Sequence, residues 1–298
     1  MEHRPPSVTP HLLQGWPLPS PSDDDDKEGR GRVLVAAGSP ELPGTAILAA
    51  TAALRAGAGK LRIATVASIA PHVGIAVPEA RVVALAETER GAIAPDAAAR
   101  LADLANDCQA ALLGPGLADT DTIRALLRGL LPRLRDVTVI LDSEAMMAAA
   151  TCPDALRALP TRPILTPHAG EMAGMLGIAK DRVAADRIGT AREAAERFRA
   201  IVALKGAGTV IATPNGDIWS NRSGNVGLAT SGSGDTLSGI IAGLAARGAD
   251  PAQATVWGVY LHGAAGDGLA ERLGPLGFLA RELLAEIPVL MAELGRPA

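Results

Sequence analysis

The chain has 298 residues, of which 48% are hydrophobic and only 2% aromatic, and its formal net charge at pH 7 is −4. This length and composition favour one large domain built from small side chains and exclude a disordered chain. No basic block follows the pattern of a phosphate-binding stripe, and no segment approaches 18 uninterrupted apolar residues, so neither nucleic acid nor membrane is an expected partner.

The first 31 residues differ in composition from the rest of the chain. They contain six prolines and the acidic run 23–26, a composition typical of extended or mobile chain. Apolar residues suited to packing, such as Leu13 and Trp16, precede the acidic run. We expect residues 1–31 to form a flexible N-terminal tail with the acidic run in a solvated loop, and residues 32–298 to form a single domain.

The ordered part begins with a strand, a helix and a second strand. Residues 32–37 form a short apolar run that ends at Gly38, and a helix with one buried face begins at Pro43. Glycines at positions 57 and 59 end this helix before a strand over residues 60–66. Three such elements in about 35 residues make one βαβ unit.

Strands and helices continue to alternate along the chain. Strands are predicted over 110–113, 137–141, 163–165 and 200–204, and helices over 95–105, 122–134, 154–159 and 187–199. This alternation predicts an α/β fold with a doubly wound, mostly parallel sheet and helices on both faces. Residues 210–213 and 217–220 flank Asn215–Gly216, which predicts a hairpin with a two-residue turn at an antiparallel edge.

A glycine-rich stretch over residues 224–239 leads directly into an apolar helix. Gly232, Ser233 and Gly234 precede Asp235, so several backbone N–H groups can face one place without a bulky side chain between them. This pattern predicts an anion site. Asp235 itself has two interpretations, a helix cap or dipole partner and a general base beside the anion.

Other polar and glycine positions follow predicted strands. Thr45 lies in the first turn of the helix after the first strand, and Gly116, His168 and Lys205 follow later strands. The carboxyl ends of parallel strands meet at one sheet edge, where ligands bind in open α/β folds. No cluster of His and Cys has the spacing of a metal site.

Several of these residues also have a purely structural interpretation. His168 can be a capping residue or a ligand contact, and Lys205 can be a solvated charge or a nucleotide contact. Glu171 can stabilise the start of its own helix. His262 lies on a later helix, where a lone histidine is more often packed and hydrogen-bonded than catalytic.

The sequence Gly232-Ser233-Gly234-Asp235 before an apolar helix resembles the anion hole and catalytic aspartate of the ribokinase-like kinases. Further segments narrow the resemblance, namely residues 43–46 together with 53–59, then 165–171, and then 204–209. In this order and spacing, the set resembles the ADP/ATP-dependent NAD(P)H-hydrate dehydratase family over nearly all the chain from residue 31 to beyond 267. The resemblance implies a ribokinase-like fold.

The resemblance implies a lyase that repairs nicotinamide nucleotides. A nucleotide, ADP or ATP, phosphorylates the ring hydroxyl of NADHX or NADPHX, and loss of phosphate restores NADH or NADPH. The sequence does not choose between the two donors, although bacterial relatives suggest ADP. Mg²⁺ is expected with the nucleotide, held through phosphates and water rather than by protein side chains. The implied sites are Asp235 as base; backbone N–H groups of Gly232, Ser233 and Gly234 at the phosphoryl group; Lys205, Gly206, Ala207, Gly208, Thr209 and Gly234 at the nucleotide; and Thr45, Gly116, His168 and Asp235 at the hydrated dinucleotide.

The chain departs from the family pattern at three places. Ser231 and Ser233 replace a glycine and a threonine, Ala169 replaces a proline, and residues 142–144 read Asp-Ser-Glu instead of Asp-Ala-Asp. Only Asp142 of that last segment is kept as a weak candidate. Two other functions stay open, a ribokinase-like kinase acting on a vitamin precursor or sugar, and a non-catalytic nucleotide-binding module.

The resemblance also bears on partners and location. It suggests a homotetramer, and an epimerase for the same substrates on a separate chain, since residues 1–31 are too few for the epimerase domain that many relatives carry. Cys108 and Cys152 form no CxxC motif, and the chain starts without a signal-peptide pattern. We therefore expect a cytoplasmic protein.

Overall fold

The computed structural model describes residues 5–20 and 27–295. Over these residues nine strands form one sheet in the order β3-β2-β1-β4-β5-β6-β7-β8-β9. The strands are β1 (Arg32–Ala36), β2 (Lys60–Val66), β3 (Ala80–Leu85), β4 (Ala110–Leu113), β5 (Thr138–Leu141), β6 (Ile164–Leu165), β7 (Ile201–Leu204), β8 (Thr209–Ala212) and β9 (Ile218–Asn221). The helices are α1 (Pro10–Gln14), α2 (Pro43–Arg55), α3 (Ala70–Ala76), α4 (Ala98–Asn106), α5 (Thr120–Leu130), α6 (Ser143–Ala150), α7 (Pro153–Arg157), α8 (Ala169–Leu176), α9 (Lys180–Ala185), α10 (Arg187–Phe198), α11 (Ser233–Ala246), α12 (Pro251–Leu273) and α13 (Ala280–Leu294).

The first seven strands pair in parallel, and β8 and β9 add an antiparallel edge. This confirms the mostly parallel sheet with an edge hairpin that the sequence predicts. All four residues of β4 and of β7 are buried, as expected of parallel strands covered by helices on both faces.

The strand order reverses between β1 and β4, which are neighbours in the sheet although two strands separate them in the chain. Right-handed crossovers place the helices after β1 and β2 on one face and the helices between β3 and β7 on the other. Helices α11 and α12 pack on the first face, against β4, β5 and β7. No helix within residues 5–20 and 27–295 is long and apolar enough to cross a membrane. The switch point at β1 and β4 is where ligands bind in such sheets.

Helices α2 and α11 pack closely because small residues line their contact. A Cβ atom on Gly239 would overlap the backbone of Ala49, and one on Gly243 would overlap the backbone of Ala53. Twelve residues of α11 are buried, including nearly all those after Asp235. The start of α11 is therefore held by packing along the whole helix.

Most predicted elements occur with small shifts at their ends. Strand β2 has the predicted bounds, and the helix predicted near residues 122–134 forms α5 followed by a 3₁₀ turn. Sequence reasoning missed α3, β3, α6, α9 and α13. Helices α3, α6 and α9 are short, so their periodicity is weak, and β3 alternates buried and exposed residues only in its second half. Helix α13 has no such explanation, because its buried residues Ala280, Leu283, Leu284 and Ile287 recur at helical spacing, a signal that could have found it.

The prediction of a two-residue hairpin turn is wrong. The last strand pair is Ala212 with Ile218, and Thr213 N donates to Asp217 O, which leaves a three-residue loop. Gly216 N donates to Thr213 O, and Gly216 has φ of 95°. This is a turn closed by a left-handed residue, and Pro214 suits its second position.

Residues 5–20 differ from the flexible tail expected for residues 1–31. Val8 N donates to Ser220 O on the edge strand β9, and the Leu13 side chain is fully buried. The Trp16 ring stacks on Trp219 with centroids 5.9 Å apart, and Trp16 O accepts from Trp257 Nε1. The segment covers the edge of the sheet. Its structure is therefore decided by the packing of its apolar residues and not by its proline content. The acidic run 23–26 lies outside the described residues.

The contact between α2 and α11 can be tested with Gly239→Ala. The added Cβ overlaps the Ala49 carbonyl, so the two helices must separate, and we expect a loss of about 1–3 kcal/mol in the free energy of unfolding. Chemical denaturation followed by circular dichroism measures the change. Gly74→Ala in α3 is the control, because its Cβ would meet nothing closer than Val82 Cγ2 at 3.6 Å. Equal stability of the two variants would contradict this packing.

Candidate active site

The first turn of α11 provides backbone donors for an anion. Its N-cap is Gly232, with φ of 86°, and no side chain caps the helix. The first N–H groups of a helix have no partner within the helix, and the dipole adds positive potential there. Among the predicted residues, Ser233 and Gly234 lie in this turn directly before Asp235.

The Asp235 carboxyl group lies at this helix start without acting as its cap. Burial is the main cause that raises its pKa, to about 6, and the negative charge of Asp142 raises it further. The positive charge of Lys205 opposes both effects. A carboxylate with a pKa near neutrality is suited to accept a proton from a substrate, which favours the general-base interpretation over the cap.

Lys205 connects the end of β7 to the start of α11. Its Nζ lies 3.3 Å from Asp142 Oδ1 and 3.4 Å from the position that a Cβ on Gly234 would take. Burial disfavours the charged ammonium group, but Asp142 and Glu171 outweigh burial and raise its pKa. Lys205 is thus positively charged at neutral pH and lies beside the first turn of α11, where the sequence predicts an anion site.

The segment 205–209 forms the connection between β7 and β8, and Gly206 and Ala207 are exposed. Arg187, at the start of α10, donates from Nη2 to Leu204 O at 2.8 Å and to Gly208 O at 2.9 Å. The arginine therefore fixes the path of this loop. Sequence reasoning missed Arg187, because no local pattern relates it to a loop 17 residues further along.

Thr45 and Gly116 lie together at the switch point. Thr45 Oγ1 donates to Leu42 O at 2.8 Å and lies 3.2 Å from Pro115 O, directly before Gly116. One turn along α2, the Leu48 side chain occupies the space beside Gly232. The structure thus brings the predicted substrate residues Thr45 and Gly116 close to the first turn of α11.

His168 is the N-cap of α8. Its Nδ1 accepts from the backbone N–H groups of Gly170 and Glu171 at 3.0 and 3.1 Å, and Glu171 Oε2 accepts from His168 N at 2.7 Å. Because Nδ1 is an acceptor, a neutral ring carries its proton on Nε2. The side chain is 60% exposed, and His168 pairs with Lys205 in a β-bridge. His168 therefore caps a helix beside Lys205, and its contact with substrate stays a prediction.

His262 has the structural role that the sequence favours. Its Nε2 lies 3.0 Å from Ser233 Oγ, and removal from water lowers its pKa to about 4. The ring is thus neutral at physiological pH. It supports the first turn of α11 from the side of α12.

A cavity of about 590 Å³ lies elsewhere, at the amino ends of β7 and β9. Trp16, Trp219, Arg162 and Asp250 are among its lining residues, and the predicted site residues are not. The predicted site residues lie instead at the opposite, carboxyl ends of the strands. In residues 5–20 and 27–295, no three His, Cys, Asp or Glu side chains are placed to hold a metal ion.

Comparison with known proteins gives consistent matches. A sequence model of the family described as NAD(P)H-hydrate dehydratase matches residues 33–289. The ADP-dependent (S)-NAD(P)H-hydrate dehydratase of Xanthomonas campestris is 46% identical over 291 residues, which cover 97% of this chain and 97% of that protein. A bifunctional NAD(P)H-hydrate repair enzyme of Moorella thermoacetica is 41% identical over 88% of this chain, which spans about half (49%) of that longer protein.

One solved structure is also closely similar. It is the ADP/ATP-dependent NAD(P)H-hydrate dehydratase from Bacillus subtilis co-crystallised with ATP and Mg²⁺. The two chains are 34% identical and superpose with a TM-score of 0.83 over 98% of this chain and 99% of that chain. The ribokinase-like fold predicted from the sequence is confirmed.

The environment of Asp235 predicts a pH-dependent effect of Asp235→Asn on stability. A carboxyl group whose pKa is higher in the folded chain than in the unfolded chain destabilises the fold when it is ionised. We expect the variant to be more stable than the wild type by about 2–3 kcal/mol at pH 8, or roughly 3–5 °C in Tm. The difference should shrink as the pH falls through 6 and disappear near pH 4.

Thermal melts at several pH values measure this difference. Asp154→Asn is the control, because that side chain is 93% exposed and should give no pH-dependent gain. A variant at Asp235 that melts below the wild type at pH 8 would contradict the unfavourable environment of its carboxylate.

Proposed function

Since the chain belongs to the NAD(P)H-hydrate dehydratase family, we propose that it catalyses the nucleotide-dependent dehydration of (6S)-NADHX and NADPHX to NADH and NADPH. The observation that carries this proposal is the carboxyl group of Asp235, whose pKa is raised to about 6 at the uncapped start of α11. A proton acceptor and an anion site adjoin each other there, beside Lys205. Phosphorylation of a hydroxyl group needs both.

The reaction balances as two steps. The ring hydroxyl oxygen attacks the terminal phosphorus of ADP, the bond from that phosphorus to AMP breaks, and Asp235 accepts the hydroxyl proton. The carbon–oxygen bond then breaks with its electron pair leaving on phosphate, and loss of a proton from the adjacent ring carbon restores the double bond. The products are the reduced dinucleotide, AMP and inorganic phosphate.

The predicted residues have the following roles in this proposal. Backbone N–H groups of Gly232, Ser233 and Gly234 stabilise the charge on the transferring phosphoryl group. The adenine nucleotide contacts Lys205, Gly206, Ala207, Gly208, Thr209 and Gly234, and the hydrated dinucleotide contacts Thr45, Gly116, His168 and Asp235. The closeness of Thr45 to Pro115, and of Lys205 to both His168 and Gly234, supports one continuous site.

We further propose ADP as the phosphoryl donor with Mg²⁺ bound to its phosphates. The name of the Xanthomonas relative specifies ADP, and the Bacillus enzyme was co-crystallised with ATP and Mg²⁺. Asp235, Asp142 and Glu171 give the surroundings of Lys205 an excess of negative charge. A cation bound to the phosphates would offset this charge, and Mg²⁺ prefers phosphate and water ligands to a cage of protein side chains.

We also propose that the chain forms a homo-oligomer, with a tetramer as the expected state. The segment around Val226 packs against residues 275–278, and Val226, Leu273, Leu276 and Leu279 are between 43% and 68% exposed. An apolar surface of this kind favours self-association. Sedimentation velocity tests the proposal, and a monomer at all accessible concentrations would contradict it.

The proposal also includes an epimerase that acts on the same substrates and a location of the protein in the cell. An epimerase is expected to supply the S form of the hydrated dinucleotide, and the bifunctional name of the Moorella relative supports a second activity in the same repair. We place the protein in the cytoplasm, where thiols such as the free Cys108 and Cys152 stay reduced.

Asp235→Asn tests the chemistry directly. Without a proton acceptor, kcat should fall about 10²- to 10⁴-fold, whereas ADP affinity should be unchanged or tighter because one negative charge is lost. Recovery of NADH absorbance from prepared NADHX measures turnover, and calorimetry measures ADP binding. The same assay with ADP, ATP and no nucleotide identifies the donor.

The outcome separates the alternatives. Wild-type turnover retained by Asp235→Asn would remove the catalytic role of this residue. Absence of NADH recovery with either nucleotide, together with phosphorylation of another alcohol, would favour a small-molecule kinase. Nucleotide binding without any turnover would favour a binding module.

A further inference from the structure

Asp142 occupies a helix N-cap position but does not cap the helix. It directly follows β5 and precedes α6, where an aspartate side chain usually accepts a hydrogen bond from the first turn. No such bond is made. Instead, Asp142 Oδ1 accepts from Thr166 Oγ1 at 2.7 Å and lies 3.3 Å from Lys205 Nζ. The carboxylate is therefore directed towards the site rather than towards its own helix.

This arrangement is locally unfavourable in two respects. Asp142 is only 1% exposed, and burying a carboxylate destabilises the fold unless its partners replace water. The next residue, Ser143, has φ of 47°, in the left-handed region that non-glycine residues rarely adopt. Unfavourable backbone conformations that persist in a structure concentrate at functional sites.

The contacts of Asp142 indicate what its charge does. Through the ion pair it holds the Lys205 ammonium group beside Gly234, at the first turn of α11. Its negative charge also raises the pKa of Asp235, in addition to burial, whereas Lys205 lowers it. The other titratable groups nearby are Glu171, which acts on Lys205, and His262, whose ring is neutral beside Ser233.

We propose that Asp142 is a positioning residue of the reaction, which orients Lys205 towards the transferring phosphoryl group and keeps the Asp235 carboxylate a strong proton acceptor. The proposal rests on the function proposed above. In that function Asp142 contacts neither the adenine nucleotide nor the hydrated dinucleotide, and it acts through Lys205 and Asp235. The hydroxyl group of Thr166 fixes the orientation of the Asp142 carboxylate.

Asp142→Asn removes the charge and keeps the side-chain shape. The loss of its negative charge lowers the pKa of Asp235, and so does the release of Lys205 from its ion pair with Asp142, because Lys205 lowers the pKa of Asp235. The acid limb of the kcat/KM profile, near pH 6 in the wild type, should therefore move down by about 0.5–1 pH unit. At pH 8, kcat should fall about 10- to 100-fold because Lys205 is displaced.

Glu144→Gln is the matched control. It removes the same charge from the same helix start, but its carboxylate accepts from Thr120 at the surface, away from Lys205. This variant should keep the wild-type pH profile and turnover. If it shifts the acid limb as far as Asp142→Asn does, the effect is not specific to the position of Asp142 and the proposal is wrong.

Thr166→Val tests the orientation of the Asp142 carboxylate without removing its charge. It also replaces Asp142→Asn as the test of the proposal if that variant does not fold. It removes the hydrogen bond to Asp142 Oδ1 but leaves both carboxylates and Lys205 in place. Turnover should fall while the acid limb stays at its wild-type position. Wild-type turnover in Thr166→Val, or an unmoved acid limb in folded Asp142→Asn, would overturn the proposal.

A second readout distinguishes this proposal from the proposed function. In protein labelled with ¹³C at the aspartate carboxyl carbons, NMR follows the titration of Asp235, and Asp235→Asn assigns its resonance. A lower midpoint in Asp142→Asn supports the electrostatic coupling even if the wild type does not dehydrate NADHX. An unchanged midpoint refutes the coupling even if the wild type is active.

Discussion

The close packing of α11 on α2 is the constraint on which the site depends. Gly239 and Gly243 let α11 approach the backbone of α2, and the helix is buried along almost its whole length after Asp235. A helix held in this way cannot shift along its axis without breaking its packing. Its first turn, with Asp235, is therefore fixed beside the switch point of the sheet, where Thr45 lies in the first turn of α2.

Electrostatics supply the second condition for the proposed chemistry. One ammonium group, that of Lys205, lies among carboxylates, and only Asp142 pairs with it directly within the described residues. Asp235 is partly buried and has no ion-pair partner among residues 5–20 and 27–295, so its pKa rises towards neutrality. The same burial that weakens the fold at alkaline pH makes Asp235 a better proton acceptor, an unfavourable placement of a kind that is typical of active sites.

Local structure also contributes by holding side chains in one orientation. The capping box of α8 fixes the His168 ring, and Arg187 fixes the carbonyl groups on either side of the exposed loop 205–209. These contacts need no ligand. The site is thus largely formed by the fold before a substrate binds, and few groups need to move when it does.

The sequence by itself determined the features that depend on local pattern. Alternating strands and helices specified the sheet, and the run from Gly232 to Asp235 specified the helix start at which we propose an anion site, because backbone donors at a helix start follow from nearby glycines. Only the tertiary structure decided that Asp142 pairs with Lys205, that Arg187 supports the loop after β7, and that Leu13 and Trp16 pack rather than stay mobile. These contacts join residues 17 to more than 200 positions apart, and a partner at that separation leaves no mark on local composition or periodicity.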